Sequence, residues 1–157
     1  RTSEIAFTAP YLEIEATYLV PASSPHWTTA DVDRAGVRVT APARANYELF
    51  LQRNLKHAQL VSVQGGDAAF DLLATGKVDA LAGLKQGLIA FSEKLPGSRV
   101  IDGRFMAVQQ SIAVPKGRDA GLAYLRSVVE ESKVSGLVAA AIEKTGARGV
   151  AVAPPAK

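Results

Sequence analysis

The chain has 157 residues, of which 48% are hydrophobic and 21% charged, close to the composition of a folded globular domain, so wholesale disorder is excluded. It holds no Cys, which rules out disulfide frameworks, zinc–thiolate sites and thiol nucleophiles. The formal charge is only +3, and Arg38, Arg44, Arg53, Lys56, Arg99, Arg104 and Arg118 are scattered, whereas a nucleic-acid binder concentrates its basic residues on one face. No apolar run reaches the ~18 residues that a membrane-spanning helix needs.

Strand-like and helix-like segments alternate along the chain, the pattern of an α/β layer fold with a largely parallel sheet. The opening "RTSEIAFTAPYLEIEATYLV" already has a strand pattern, and its last part, "ATYLVPA", is rich in β-branched and aromatic residues and stops at Pro21. "SSPHWTTADVDRAG" is polar and turn-rich, and "VRVTA" alternates as a strand ending at Pro42. From Asn46, which suits an N-cap, Tyr47, Phe50, Leu51 and Leu55 fall at helical spacing. "AQLVSV" is the next strand. Gly65-Gly66 turns the chain, and Asp67 is expected to cap the helix "AAFDLLAT", which Gly76 ends.

"VDALAG" reads as a short buried strand, followed by a helix through Leu88 and Phe91 that stops before Pro96-Gly97. "RVI" and "QSIAV" are the last predicted strands before a long helical region. Asp119 is expected to cap that region, Ser135-Gly136 to interrupt it and Gly146 to end it, with a short strand in the remaining "ARGVAVAPPAK". Phe105 and Met106 read as core.

Five segments in this order, "RTSEIAFTAPY", "GVRVTAPARANYELF", "GKVDALAG", "IAVPKG" and "SGLVAAAIEKTG", resemble the solute-binding proteins of bacterial ABC transporters, in the family 3 branch that binds amino acids and similar polar solutes. The resemblance implies the α/β periplasmic-binding-protein type 2 fold, as a complete lobe 2 plus the C-terminal part of lobe 1. Residues 1–21 would end lobe 1 and form the outgoing hinge strand, 22–108 would make lobe 2, and 109–157 would supply the return strand and terminal helices of lobe 1. About the first third of such a protein is expected to precede Arg1, since whole domains of this kind exceed ~200 residues. The apolar faces of the helices over 122–142 are then expected to be open, and the chain alone to self-associate.

The implied function is an extracytoplasmic, periplasmic component of an ABC transporter that captures a small solute between two lobes and presents it to a membrane permease, without catalysis, cofactor or metal. An enzyme on the same fold, dehydratase-like, and the ligand-sensing module of a signalling receptor are the alternatives. The family pattern in which an Arg opens R-x-x-x-(I/V)-x-F-(S/T)-x-P-Y matches Arg1, Ile5, Phe7, Thr8, Pro10 and Tyr11 here, and implies that Arg1 holds a ligand carboxylate; its planar fork of donors fits that group.

Asn46 and Tyr47, at the start of a helix, can offer hydrogen bonds to a solute, or Tyr47 can pack against Leu51. The loop before them departs from the family's Gly and Ser or Thr, having Pro42, Ala43, Arg44 and Ala45. Relatives commonly place an Asp for the ligand's ammonium after the G-x-x-D-A strand; here Leu84 stands there, between Gly83 and Lys85-Gln86. An ammonium buried without a carboxylate partner is costly, so the residues favour an organic acid or an amino-acid derivative with a blocked or absent amino group, unless a carboxylate from elsewhere meets it. Gln109 and Gln110 flank the return strand, one facing in and one out. Asp79 reads as structural, bonding backbone at a strand start. His26 and His57 are isolated, which argues against metal or acid–base roles.

Overall fold

A computed structural model describes residues 4–156. The chain divides into two units, Arg1–Ile14 with Gln109–Lys157, and Glu15–Val108. It crosses from one to the other twice, within β2 (Leu12–Val20) and within β7 (Met106–Gln110).

In the second unit β3 (Arg38–Pro42) pairs in parallel with β4 (Gln59–Val63) and β5 (Ala80–Leu84), while β2 lies antiparallel to both β5 and β6 (Arg99–Val100), giving the order β4-β3-β5-β2-β6. The sheet is therefore mixed rather than largely parallel. Strand–helix alternation signals parallel pairing only from β3 onward; β2 comes first and connects through the irregular stretch after Pro21, so that signal does not apply to it.

Residues 16–20 of β2 are all buried, as expected of a strand covered on both faces. Their alternation feeds two cores. Tyr18 and Val20 join Val39, Ala41, Leu51, Ala80 and Ala82 on one face, and Leu19 joins Ala69, Leu73, Leu81 and Leu88 on the other. Phe105 belongs with the first, its ring centroid 4.7 Å from that of Tyr18, and Phe70 stacks on Phe91 at 4.8 Å in the second. Burial, and to a lesser degree the Asp33 charge, push the Tyr18 phenol above its ordinary pKa. The hydroxyls of Thr17 and Thr40, buried in this sheet, donate to the carbonyls of Ile101 and Val61, each at 2.9 Å.

Three crossovers return through α2 (Asn46–Asn54), α3 (Gly66–Ala74) and α4 (Lys85–Lys94), after a one-turn α1 (Thr29–Val32) that a Thr28–Asp31 capping box opens. Two expected caps are displaced. Ala45, not Asn46, is the N-cap of α2, and Gly65, not Asp67, that of α3; Asn46 and Asp67 lie inside the first turns. At α2 the buried Glu48 replaces a cap by accepting the Arg44 N–H at 3.2 Å. At α3 the backbone before the helix has φ +88°, a conformation that favours glycine and disfavours Asp.

The first unit pairs β1 (Ile5–Phe7) with β8 (Ala113–Pro115), and the start of β2 with β9 (Val150–Val152), both antiparallel. The predicted strand "QSIAV" is thus split: Gln110 ends β7, and Ile112 donates its N–H to the Thr8 hydroxyl at 3.1 Å and accepts from the Thr8 N–H at 2.9 Å between the strands. α5 (Asp119–Val134) has Arg118 as N-cap, Asp119 being its first residue, and Gly136, at φ +80°, separates it from α6 (Leu137–Thr145). The Lys133 side chain, 4% exposed, donates to the carbonyls of Pro10 at 3.2 Å and Pro154 at 2.9 Å and pairs with Glu130 at 2.6 Å, tying α5 to the residues that flank β2 and β9. α6 contains no buried residue despite the sequence LVAAAI, and Tyr124, Val134 and Leu137 are exposed.

Candidate functional site

Pro42 ends β3, Val63 ends β4 and Leu84 ends β5, so the carboxyl edge of the parallel strands meets the amino ends of α2, α3 and α4. This is where α/β sheets bind ligands, because the first turn of each helix presents N–H groups without intrahelical partners. At none of the three is a side chain hydrogen-bonded as a cap. Glu48 and Asp67 occupy the first turns of α2 and α3, whereas that of α4 carries no acidic residue.

A pocket of about 230 Å³ opens among these ends. β3 contributes Pro42, and β5 contributes Leu81 to Leu84. The helices add Tyr47, Gly66, and, from α4, Gln86, Gly87, Leu88 and Phe91. No lining side chain is charged. Tyr47 supplies its hydroxyl, and burial raises its pKa, so it stays a neutral donor and acceptor at physiological pH. Gln86 supplies an exposed amide. A larger hollow, about 310 Å³, is lined by Ser24, His26, Val78 and Asp79 at the opposite end of β5. It has no helix amino end over it, and Asp79 there is engaged structurally: its carboxylate takes the Arg38 N–H at 2.8 Å and the Arg38 guanidinium at 3.0 Å through both oxygens. The smaller pocket is therefore the candidate site.

Of the residues singled out from the sequence, Tyr47, Gly83, Leu84 and Gln86 come together on the pocket wall. Gly83 acts through packing, since a Cβ there would stand 2.8 Å from Leu88 Cδ2. Asn46 is the exposed first residue of α2. Lys85, expected to repel an ammonium if it turned inward, instead donates to Glu15 at 3.0 Å, across the register that sets Ala16 beside Leu84. Its charge is thus balanced next to the pocket.

Tyr11 and Gln109 lie in the first unit. The Tyr11 N–H donates to Gln110 O at 3.0 Å, and the Gln109 amide donates to the buried Glu13 carboxylate at 3.0 Å. Arg1 falls outside the described residues. Sequence reasoning missed Pro42, Gly66, Gly87 and Phe91 because none carries a reactive group. It also missed Glu15, whose partner is 70 residues away. Glu48 also went unremarked, although an acid in the first turn of a helix is a signal that the sequence carries.

No family model matches the sequence, and no curated protein does. Solved structures do match. A mutant of ArgBP from T. maritima is 26% identical with a TM-score of 0.67, and covers 92% of this chain and 62% of its own. AbpA, an amino acid ABC transporter substrate-binding protein from Streptococcus pneumoniae, solved bound to L-arginine, is 22% identical with a TM-score of 0.69 and the same coverage. An ancestral amino acid-binding protein, AncCDT-1, a precursor of cyclohexadienyl dehydratase, is 22% identical with a TM-score of 0.68 over 92% of this chain and 63% of its own. The chain spans about three fifths of the length of these proteins. Strand order, helix placement and these matches agree: the chain has the periplasmic-binding-protein type 2 fold and is similar to the substrate-binding proteins of amino-acid ABC transporters.

Proposed function

We propose that this chain is the solute-binding component of an ABC transporter, that it works in the periplasm, and that it delivers a small carboxylate-bearing solute to a membrane permease. The observation that carries the carboxylate is the pocket of the second unit, where three helix amino ends without side-chain caps converge and no lining side chain is negatively charged. Partial positive charge favours an acid there, with the α4 end the least compensated. Tyr47 and Gln86 direct the solute by hydrogen bonds, with Asn46 at the helix entrance. Arg1, Tyr11 and Gln109 are the residues we propose from the first unit, Arg1 as the bidentate partner of the carboxylate.

With Leu84 on the wall and Lys85 already paired with Glu15, an α-ammonium has no free carboxylate among the pocket residues. The solute is an organic acid or an amino-acid derivative whose amino group is blocked or absent. This departs from AbpA, which was solved with L-arginine. The protein is not an enzyme on this reading: Tyr47 is the one titratable side chain lining the pocket, and its raised pKa makes it a poor acid or base near neutrality.

Calorimetric titration of the intact protein with amino acids and their deaminated analogues, L-phenylalanine beside 3-phenylpropionate for example, tests the proposal. Binding of the deaminated acid at equal or higher affinity is expected. Loss of more than ~2 kcal/mol on removing the amino group, the size of a charge-assisted hydrogen bond, would overturn it.

A further inference from the structure

We infer that the apolar wall of the pocket of the second unit, beside the helix amino ends that favour the carboxylate, receives an uncharged hydrocarbon group, so that the solute is a monocarboxylate whose far end is aromatic or branched aliphatic; this rests on the solute-binding reading above. Leu84, the N-cap of α4, is followed within the helix by Gly87, Leu88 and Phe91 at i+3, i+4 and i+7, so the apolar residues of its first turns share the face that lines the pocket, with Gln86 beside them. Tyr47 stands on α2 and Gly66 at the start of α3, where a Cβ would come within 3.6 Å of the Phe91 ring. The space of about 230 Å³ is ample for a ring, since an apolar cavity of about 150 Å³ takes up benzene. The helix amino ends offer their partial charge to the one carboxylate, whereas a cation or a second carboxylate against Leu88 and Phe91 would lose its hydration without a charged side chain to meet it.

Gly87 gives independent support. It sits inside a helix, where glycine weakens the structure, yet its φ is not positive and a Cβ there would have no atom within 4 Å. Neither backbone conformation nor packing requires glycine at this place. What the missing side chain leaves is room on the pocket face of α4.

Three carboxylates without an α-amino group separate the possibilities in the intact protein: 3-phenylpropionate, 5-guanidinopentanoate and glutarate, titrated by calorimetry. The inference expects 3-phenylpropionate to bind at least about tenfold more tightly than the other two, the order of discrimination an uncompensated buried charge produces. Filling the room should then weaken 3-phenylpropionate about threefold in Gly87→Ala and more than about thirtyfold in Gly87→Leu, while the thermal midpoint of Gly87→Ala equals or exceeds that of the parent. Preference for the guanidino acid or for glutarate overturns the inference and leaves the parent reading standing. Unchanged affinity for 3-phenylpropionate in both variants also overturns it, because the ring then lies elsewhere. If none of the three binds, this inference falls, because 3-phenylpropionate carries the group it requires, while the parent reading is decided by the paired titrations of amino acids and their deaminated analogues.

Discussion

Glu48 is 1% exposed, and removing its carboxylate should both destabilise the second unit and loosen the pocket. Its Oε1 accepts from the Gln52 amide and the Ser62 hydroxyl, each at 2.6 Å, and its Oε2 accepts the Arg44 N–H at 3.2 Å. Arg44 has φ +66°, the one positive value among the described non-glycine residues, so this last bond holds a strained turn that leads from Pro42 into Tyr47. Hydrogen bonds to a charged group contribute roughly 1.5–3 kcal/mol each, but three on one carboxylate do not add. Ser62 and Gln52 are exposed and recover water when the acid is gone, and the desolvation of the carboxylate is relieved. The net loss for Glu48→Ala is therefore about 2 kcal/mol, and about half that for Glu48→Gln, which keeps one acceptor. In a domain of this size that lowers the thermal midpoint by about 10 °C. Urea unfolding followed by far-ultraviolet circular dichroism and by Trp27 fluorescence measures it. A loss below about 0.5 kcal/mol for Glu48→Ala would show that the network is incidental and refute the reasoning.

Asp79 provides a pH dependence. The hydrogen-bonded Arg38 guanidinium, and after it the Arg38 N–H, hold its carboxyl below the ordinary value against the opposing effect of burial, so the folded state releases the proton more readily than the unfolded state. That contribution is complete above the unfolded pKa, near 4, and is lost as pH falls through the lower folded value. Urea midpoints of the parent should fall toward that of Asp79→Asn as the pH is lowered from the unfolded value through the folded one; a constant gap between the two would contradict this. In the first unit, Lys133→Met removes the donor shared by Pro10, Pro154 and Glu130. The Ala153 amide, bonded to Tyr11 O at 3.1 Å, should then exchange its hydrogen about tenfold faster or more, and unchanged protection would show that α5 does not hold those strands.

The elements were legible where local pattern and burial agree. The second half of β2, the centre of β3 and most of β5 are short, largely apolar runs that end up buried, and α2 shows its helical spacing in Tyr47, Phe50 and Leu51. Helix starts were not legible at Asn46, Asp67 and Asp119, because the capping rule looks for a side-chain oxygen, while these helices begin at Ala45, Gly65 and Arg118, whose side chains make no cap bond. The departure at Leu84 could be read because a charge was absent from an expected place. The pairing of Lys85 with Glu15 could not, since it depends on the antiparallel register of β2 against β5 and has no local signature. Likewise a glycine that makes room, as Gly87 does, looks in sequence like any other glycine.

If the pocket of the second unit receives the solute, backbone amide shifts in the isotope-labelled intact protein will report it during titration with 3-phenylpropionate. Saturable shifts in that unit are expected to be confined to the turn and helix start at 42–47, to Gly66 and to residues 81–91. Saturable shifts centred instead on residues 21–26 and 76–79, around the larger hollow at the other end of β5, would contradict it.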